Sequence, residues 1–255
     1  MAAQDSPPPY DEDNFSRPTD LVEPITLSLA AKSVTQIYPC INDKPIEMYR
    51  LSWDILHNPT YTGKVTVERV NHSLRTTVND SYQMRSCTQE IYTIQCNPSM
   101  PKTASAAQAE YGIPKACILR INKNRGMGNF GLKKSSLRKK WTVLPLKMDK
   151  ATGHTVFDKD SKALFHMEAR NSGLAWMNTE GKEIAETEVV GEEHRLVIKE
   201  PLMRELVDVL ISIWVCQIWD VLSREAASKS SMSKFLSIMS HTKHGRGPAG
   251  ALIGA

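Results

Sequence analysis

Along most of this chain hydrophobic and polar residues alternate one by one, and in a single stretch near the C-terminus the alternation stops. Ile25, Leu27 and Leu29 alternate with Thr26, Ser28 and Ala30, the period-two pattern of a half-buried strand. The pattern returns in 46–52, 64–70, 89–96 and 116–121, and more densely in 141–147, 162–168, 174–178, 182–190 and 194–199. Turn residues separate the later runs. Asn178-Thr-Glu-Gly181 between two short runs predicts a hairpin with Gly181 in the left-handed conformation. The polar stretches 71–86 and 97–114 read as connections, the second as a flexible excursion without a usable period.

The exception is Pro201–Leu222. Pro201 suits a first helical turn, where its missing N–H is no loss. From Val209 to Trp219 only Ser212 and Gln217 are polar, so the helix is apolar on nearly every face and must be enclosed. Eleven such residues are too few for a bilayer, which needs roughly 20, and Asp208 and Asp220 bracket them. Trp214 and Trp219 point about 140° apart around a helix, which fits a helix with walls on several sides. Asp208, Ser212 and Gln217 need partners inside, because an unpaired buried polar group costs on the order of 1–3 kcal/mol. Ten to twelve strands followed by one such helix predict a mainly β fold, an antiparallel sheet closed around a central hydrophobic C-terminal helix. Closure removes the exposed edges, and the missing βαβα alternation argues against a parallel doubly wound sheet.

Composition divides the chain into three parts. Residues 1–24 carry Asp5, Asp11, Glu12, Asp13, Asp20 and Glu23 against Arg17, too polar to fold alone. They contain Pro7-Pro8-Pro9-Tyr10, a PPxY motif. Its prolines pre-set a polyproline II segment and Tyr10 supplies an aromatic anchor, as in ligands of WW domains such as those of HECT-type ubiquitin ligases. Residues 25–228 form the barrel, with the central helix near 201–226. Residues 229–255 are expected to be a flexible basic tail, in which Phe235, Leu236, Ile238 and Met239 beside Lys234, Lys243 and Arg246 allow one amphipathic turn able to touch an anionic membrane. Five scattered cysteines without C-x-x-C spacing, and no signal peptide, point to free thiols in a reducing cytoplasm.

At 41% hydrophobic and 24% charged the composition is that of an ordinary globular protein, and the net charge is only +4. Its distribution is uneven. Residues 115–150 hold eleven lysines and arginines against one acid, Asp149, an asymmetry suited to an anionic partner. The candidate anion-binding or lipid-binding residues are Lys123, Arg125, Lys133, Lys134, Arg138, Lys139 and Lys140.

Many short strands followed by one terminal helix apolar almost all round resemble the tubby C-terminal-like superfamily of tubby domains, LURP-one-related proteins and phospholipid scramblases. The resemblance spans roughly residues 25–228 and is most telling from Ala163 through Trp219. The nearest likeness is to fungal proteins of tubby-like or LURP-one-like type. It implies a barrel of about twelve strands threaded by the helix and, more loosely, binding of phosphoinositides on a basic face. Scramblase chemistry is not expected, since no cysteine-rich or calcium-binding stretch accompanies the barrel pattern.

Catalytic signatures are missing. Gly126-Met-Gly-Asn-Phe-Gly131 spells G-x-G-x-x-G, but no amphipathic helix follows and the next acid is Asp149, so the dinucleotide fingerprint lacks its context. His57, His72, His154, His166, His194, His241 and His244 show no metal-site spacing with partnering carboxylates, and His166 lies in a strand pointing away from Phe165 and Met167. No G-x-S-x-G elbow surrounds a serine. The sequence therefore favours a non-enzymatic cytoplasmic barrel, peripheral at membranes, that binds anionic phospholipid headgroups and presents a WW-domain ligand, with no cofactor or metal. The alternatives are an enzyme or lipid-transfer protein using the barrel mouth, or nucleic-acid binding through residues 115–150. Phe130 and Trp141 alone would have to supply the stacking platform for the last of these.

Overall fold

The computed structural model describes residues 20–41, 44–60, 63–76, 82–96, 116–121, 127–134, 140–150, 155–158, 160–170 and 173–243. In chain order the strands are β1 (Leu21–Val22), β2 (Ile25–Ala30), β3 (Ser33–Ile41), β4 (Lys44–Leu51) and β5 (Lys64–Thr76). Next come β6 (Tyr82–Cys96), β7 (Ala116–Arg120), β8 (Phe130–Lys134), β9 (Lys140–Met148) and β10 (Thr155–Phe157). The last are β11 (Phe165–Arg170), β12 (Gly173–Met177), β13 (Glu183–Val190), β14 (Glu193–Ile198) and β15 (Leu202–Met203), followed by the helix α1 (Arg204–Lys243).

Each strand from β2 to β9 pairs antiparallel with the next, β9 passes to β11, and the order runs on to β14, which returns to β2. Because β8 also pairs with β9, twelve strands close into one antiparallel barrel, as the alternation predicted. The short β10 lies outside the ring, beside Leu146–Met148 of β9.

The helix fills the barrel. Every residue from Val207 to Cys216 is buried, and so are Ile218, Trp219, Asp220 and Ser223. Inward positions of the strands meet it from around the ring, among them Leu29, Leu51, Val67, Ile94, Val143 and Trp176. Each such side chain contributes roughly 1.5–3 kcal/mol when buried, which makes the helix and barrel one core. Trp214 and Trp219 are both fully buried, as their 140° separation required. The apolar segment is longer than the eleven residues counted from the sequence: Arg204–Ala226 is long and apolar enough to cross a bilayer, but 78% of its apolar window is buried inside the fold.

The helix continues past the expected end near 226 to Lys243. No glycine or proline interrupts 202–244, so nothing in the backbone chemistry stops it. Arg224, Glu225 and Ser228 are exposed, which marks the point where the helix leaves the barrel.

Two ends of the barrel follow from the registers. Tyr49 of β4 bonds Asp208 near the start of α1, and Pro59, just after β4, bonds Trp219 and Ser223 further along. The helix therefore runs in the direction of β4, and alternation around the ring gives β2, β6, β8, β11 and β13 the same direction. At the entry end, β1 and β15 pair across the mouth and the Arg204 amide donates to the Asp20 carbonyl at 2.9 Å. At the exit end stand the β2–β3, β8–β9 and β13–β14 junctions.

Candidate functional site

Of the seven candidate cations, Lys133, Lys134 and Lys140 are described. Lys123, Arg125, Arg138 and Lys139 lie outside the described residues, as do Pro7, Pro8 and Tyr10 of the PPxY motif. Lys133 and Lys134 end β8 and are exposed, opposite Thr142 and Trp141 of β9. Lys134 lies on the inward side of the pleat, at the rim, with its Nζ 5.1 Å from the Trp141 ring centroid, a cation–π contact. Lys140 is engaged by Glu168 across the β9–β11 pair, and the ammonium holds that carboxyl below its ordinary pKa. All three belong to the exit end. Arg120 ends β7 at the entry end, so the described cations of 115–150 are divided between the two ends of the barrel.

The exit end also carries the helix. Trp219 Nε1 donates to the Pro59 carbonyl at 2.6 Å and Ser223 Oγ to the same oxygen at 2.9 Å, which fastens the β4–β5 connection to the emerging helix. Beside it a cavity of about 340 Å³ opens between α1 and β12–β14, walled by Leu174, Val189, Trp214, Ile218, Val221 and Leu222. Gln217, the polar break in the apolar run, lines this cavity with His194. Burial lowers the His194 pKa below the ordinary imidazole value.

At the entry end the helix brings a carboxylate into the core. Asp208 accepts hydrogen bonds from the Tyr49 hydroxyl at 2.7 Å and from Arg69 at 2.9 Å, and Arg69 also donates to Gln89 Oε1 at 3.1 Å. Burial pushes the Asp208 carboxyl above the usual carboxylate range, opposed by Arg69, the Tyr49 hydroxyl and Arg204. Burial, reinforced by the Asp208 charge, raises Tyr49 well above the ordinary phenol value. Ser212 is satisfied within the helix, its Oγ donating to the Asp208 carbonyl at 2.7 Å. Tyr92 is pushed up to about 12 by burial, and its hydroxyl accepts from the Met127 amide at 3.1 Å.

Arg69, Tyr49 and Gln89 were not among the sequence candidates. A signal for Arg69 exists: counting by twos from the inward Val65 and Val67 reaches it, an arginine facing a helix that contains an aspartate.

The last two residues of the glycine-rich motif are strand. Phe130 and Gly131 open β8, and strand β9 follows, so no helix N-terminus is presented to a pyrophosphate. His166 is exposed between buried Phe165 and Met167. Among the described residues no group of three or more His, Cys, Asp or Glu side chains could hold a metal ion, and Cys87, Cys117 and Cys216 carry thiols. No family model, no curated protein and no solved structure matches this chain.

Proposed function

We propose that this protein is a non-enzymatic binding module of tubby-like type that meets anionic membrane surfaces, phosphoinositide-bearing ones included, through the exit end of its barrel. One observation carries the proposal: the topology assigns Lys133 and Lys134 and the emerging part of the helix to the same end. Residues 226–243 contain Lys229, Lys234 and Lys243 and no acidic residue, and their backbone is helical. Met232, Phe235, Leu236 and Met239 recur in that stretch at i, i+3, i+4 and i+7. A basic helix with apolar residues at this spacing suits an anionic bilayer, where each cation contributes about 1 kcal/mol. The filled barrel supports the same view, since the helix occupies the axis that a transported acyl chain would need. The Pro7-Pro8-Pro9-Tyr10 segment is the second contact, to a WW-domain protein such as a HECT-type ubiquitin ligase, and the protein would join the two as a cytoplasmic adaptor.

Vesicle co-sedimentation tests the membrane contact. The full chain should pellet with vesicles containing phosphatidylserine or phosphoinositide and stay in solution with phosphatidylcholine alone, less so as salt rises. Lys133→Glu/Lys134→Glu and Lys229→Glu/Lys234→Glu should each reduce pelleting several-fold; equal pelleting of wild type and both variants refutes the proposal. For the tail, capture by an isolated WW domain should vanish with Tyr10→Ala, and unchanged capture removes that contact.

A further inference from the structure

At the opposite end of the barrel a cleft of about 390 Å³ lies between the β3–β4 and β5–β6 hairpins and the start of α1. It has an apolar wall of Ile46, Met48, Val70 and Met84 and a charged floor of Arg69 and Arg204. This size falls in the range of small-molecule sites, which combine apolar walls with a few convergent polar groups.

The guanidinium of Arg69 is incompletely used. One terminal nitrogen donates to Asp208 and the other to Gln89, while its Nε is buried without a hydrogen-bond partner. A buried donor in that condition is rare in folded proteins and calls for an explanation. Among the described residues the mostly buried Arg204 guanidinium has one ion-pair partner, Asp20, at a long 3.7 Å from Nε to Oδ2, and the Asp20 side chain is 66% exposed. A carboxylate that displaced Asp20 from Arg204 and drew the Arg69 guanidinium round until its buried Nε faced the cleft would satisfy the orphan donor and gain a charge-assisted bond. The two ring nitrogens of His72 are occupied, by Ser86 Oγ at 2.8 Å and the Glu47 carbonyl at 2.7 Å, so His72 forms wall and not ligand.

We infer that this cleft binds an apolar monocarboxylate, its carboxylate between Arg69 and Arg204 and its hydrocarbon body against Met48 and Met84. Thioether side chains adapt to irregular apolar shapes, which suits a flexible chain better than a rigid ring system. Asp208 already balances Arg69 and Asp20 stands at the rim, so a second negative charge on the ligand is disfavoured. The site is independent of the membrane contact, which belongs to the other end of the molecule.

The probe is decanoate, titrated into the full chain with 13C-methyl-labelled methionine, with decanol and decyl phosphate as comparators. Decanoate should shift the Met48 and Met84 methyl signals saturably, decanol should not compete, and decyl phosphate should bind more weakly. Arg204→Gln, which leaves the buried Arg69–Asp208 pair intact, should weaken decanoate roughly tenfold, in line with one lost charge-assisted bond. Absence of saturable shifts overturns the inference. So does decanol matching decanoate, decyl phosphate binding as tightly, or a decanoate affinity untouched by Arg204→Gln.

Discussion

A methyl group added at Gly173 would have nowhere to go. Its Cβ would sit 1.7 Å from the Thr187 carbonyl oxygen, a backbone atom of the neighbouring strand. The same two strands are tied further by the Leu174 amide, which donates to Thr187 Oγ1 at 3.0 Å. Gly173→Ala must therefore part β12 from β13 at the exit end, and it should destabilise the fold by about 2–4 kcal/mol, as overpacking and a broken ladder together do. Chemical denaturation measures this; a loss under about 0.5 kcal/mol, within the scatter of surface substitutions, would mean the strands are not so close. Gly181 has a different role: its φ of +79° closes the turn in which the Asn178 side chain accepts from the amides of Glu180 and Lys182. That turn was readable from Asn178-Thr-Glu-Gly181 because local chemistry alone decides it. Arg69 was missed, since a single arginine among strand residues is ordinarily solvent-facing, and its parity with Val65 and Val67 was the one signal that pointed inward.

At the scale of elements, the outer face of β13 and β14 is a ladder of ion pairs. Lys199 bonds both Glu183 and Glu186, Arg170 adds to Glu183, and Arg195 bonds Glu193. The Lys199 ammonium, with Arg170, holds Glu183 below the ordinary glutamate value, and the Ser28 hydroxyl, with Arg195, does the same for Glu193. A carboxyl with a lowered folded pKa contributes stability above its unfolded value, about 4.3, and loses it as pH falls through the folded value. Melting temperature should thus drop as pH falls from about 4.5 toward 3, and the drop should be shallower in Lys199→Met, in which Glu183 loses its first partner. An acid limb identical in the two proteins would mean the ladder is inert.

The same scale shows which strands the sequence hid. The runs with one buried face, such as β2, β9 and β14, stood out by alternation. The outer part of the β5–β6 hairpin did not, because Gln83 to Thr88 are all exposed, and a ribbon wet on both faces has no period-two signal. Strand β8 was masked by its glycines: Phe130 and Leu132 are buried, but five residues beginning beside G-x-G-x-x-G look like a connection.

For the whole molecule, the consequence of the filled barrel is that chemistry moves to its two ends. The exit end gathers Lys133, Lys134 and the outgoing basic helix; the entry end gathers Arg69, Arg204 and an apolar cleft. This division could not be seen in the sequence, where 115–150 is one basic run, because consecutive hairpins of an up-and-down barrel open at opposite ends. Everything rests on α1 being walled by all twelve strands from Val207 to Trp219. Native-state hydrogen exchange tests that most directly. If the helix is the barrel's core, its amides from Val207 to Trp219 should exchange only through global unfolding, with the same free energy and denaturant dependence as those of β4, β6 and β13. If instead those helix amides exchange several kcal/mol more easily than the strands while the sheet stays protected, the helix is an appendage and not the core.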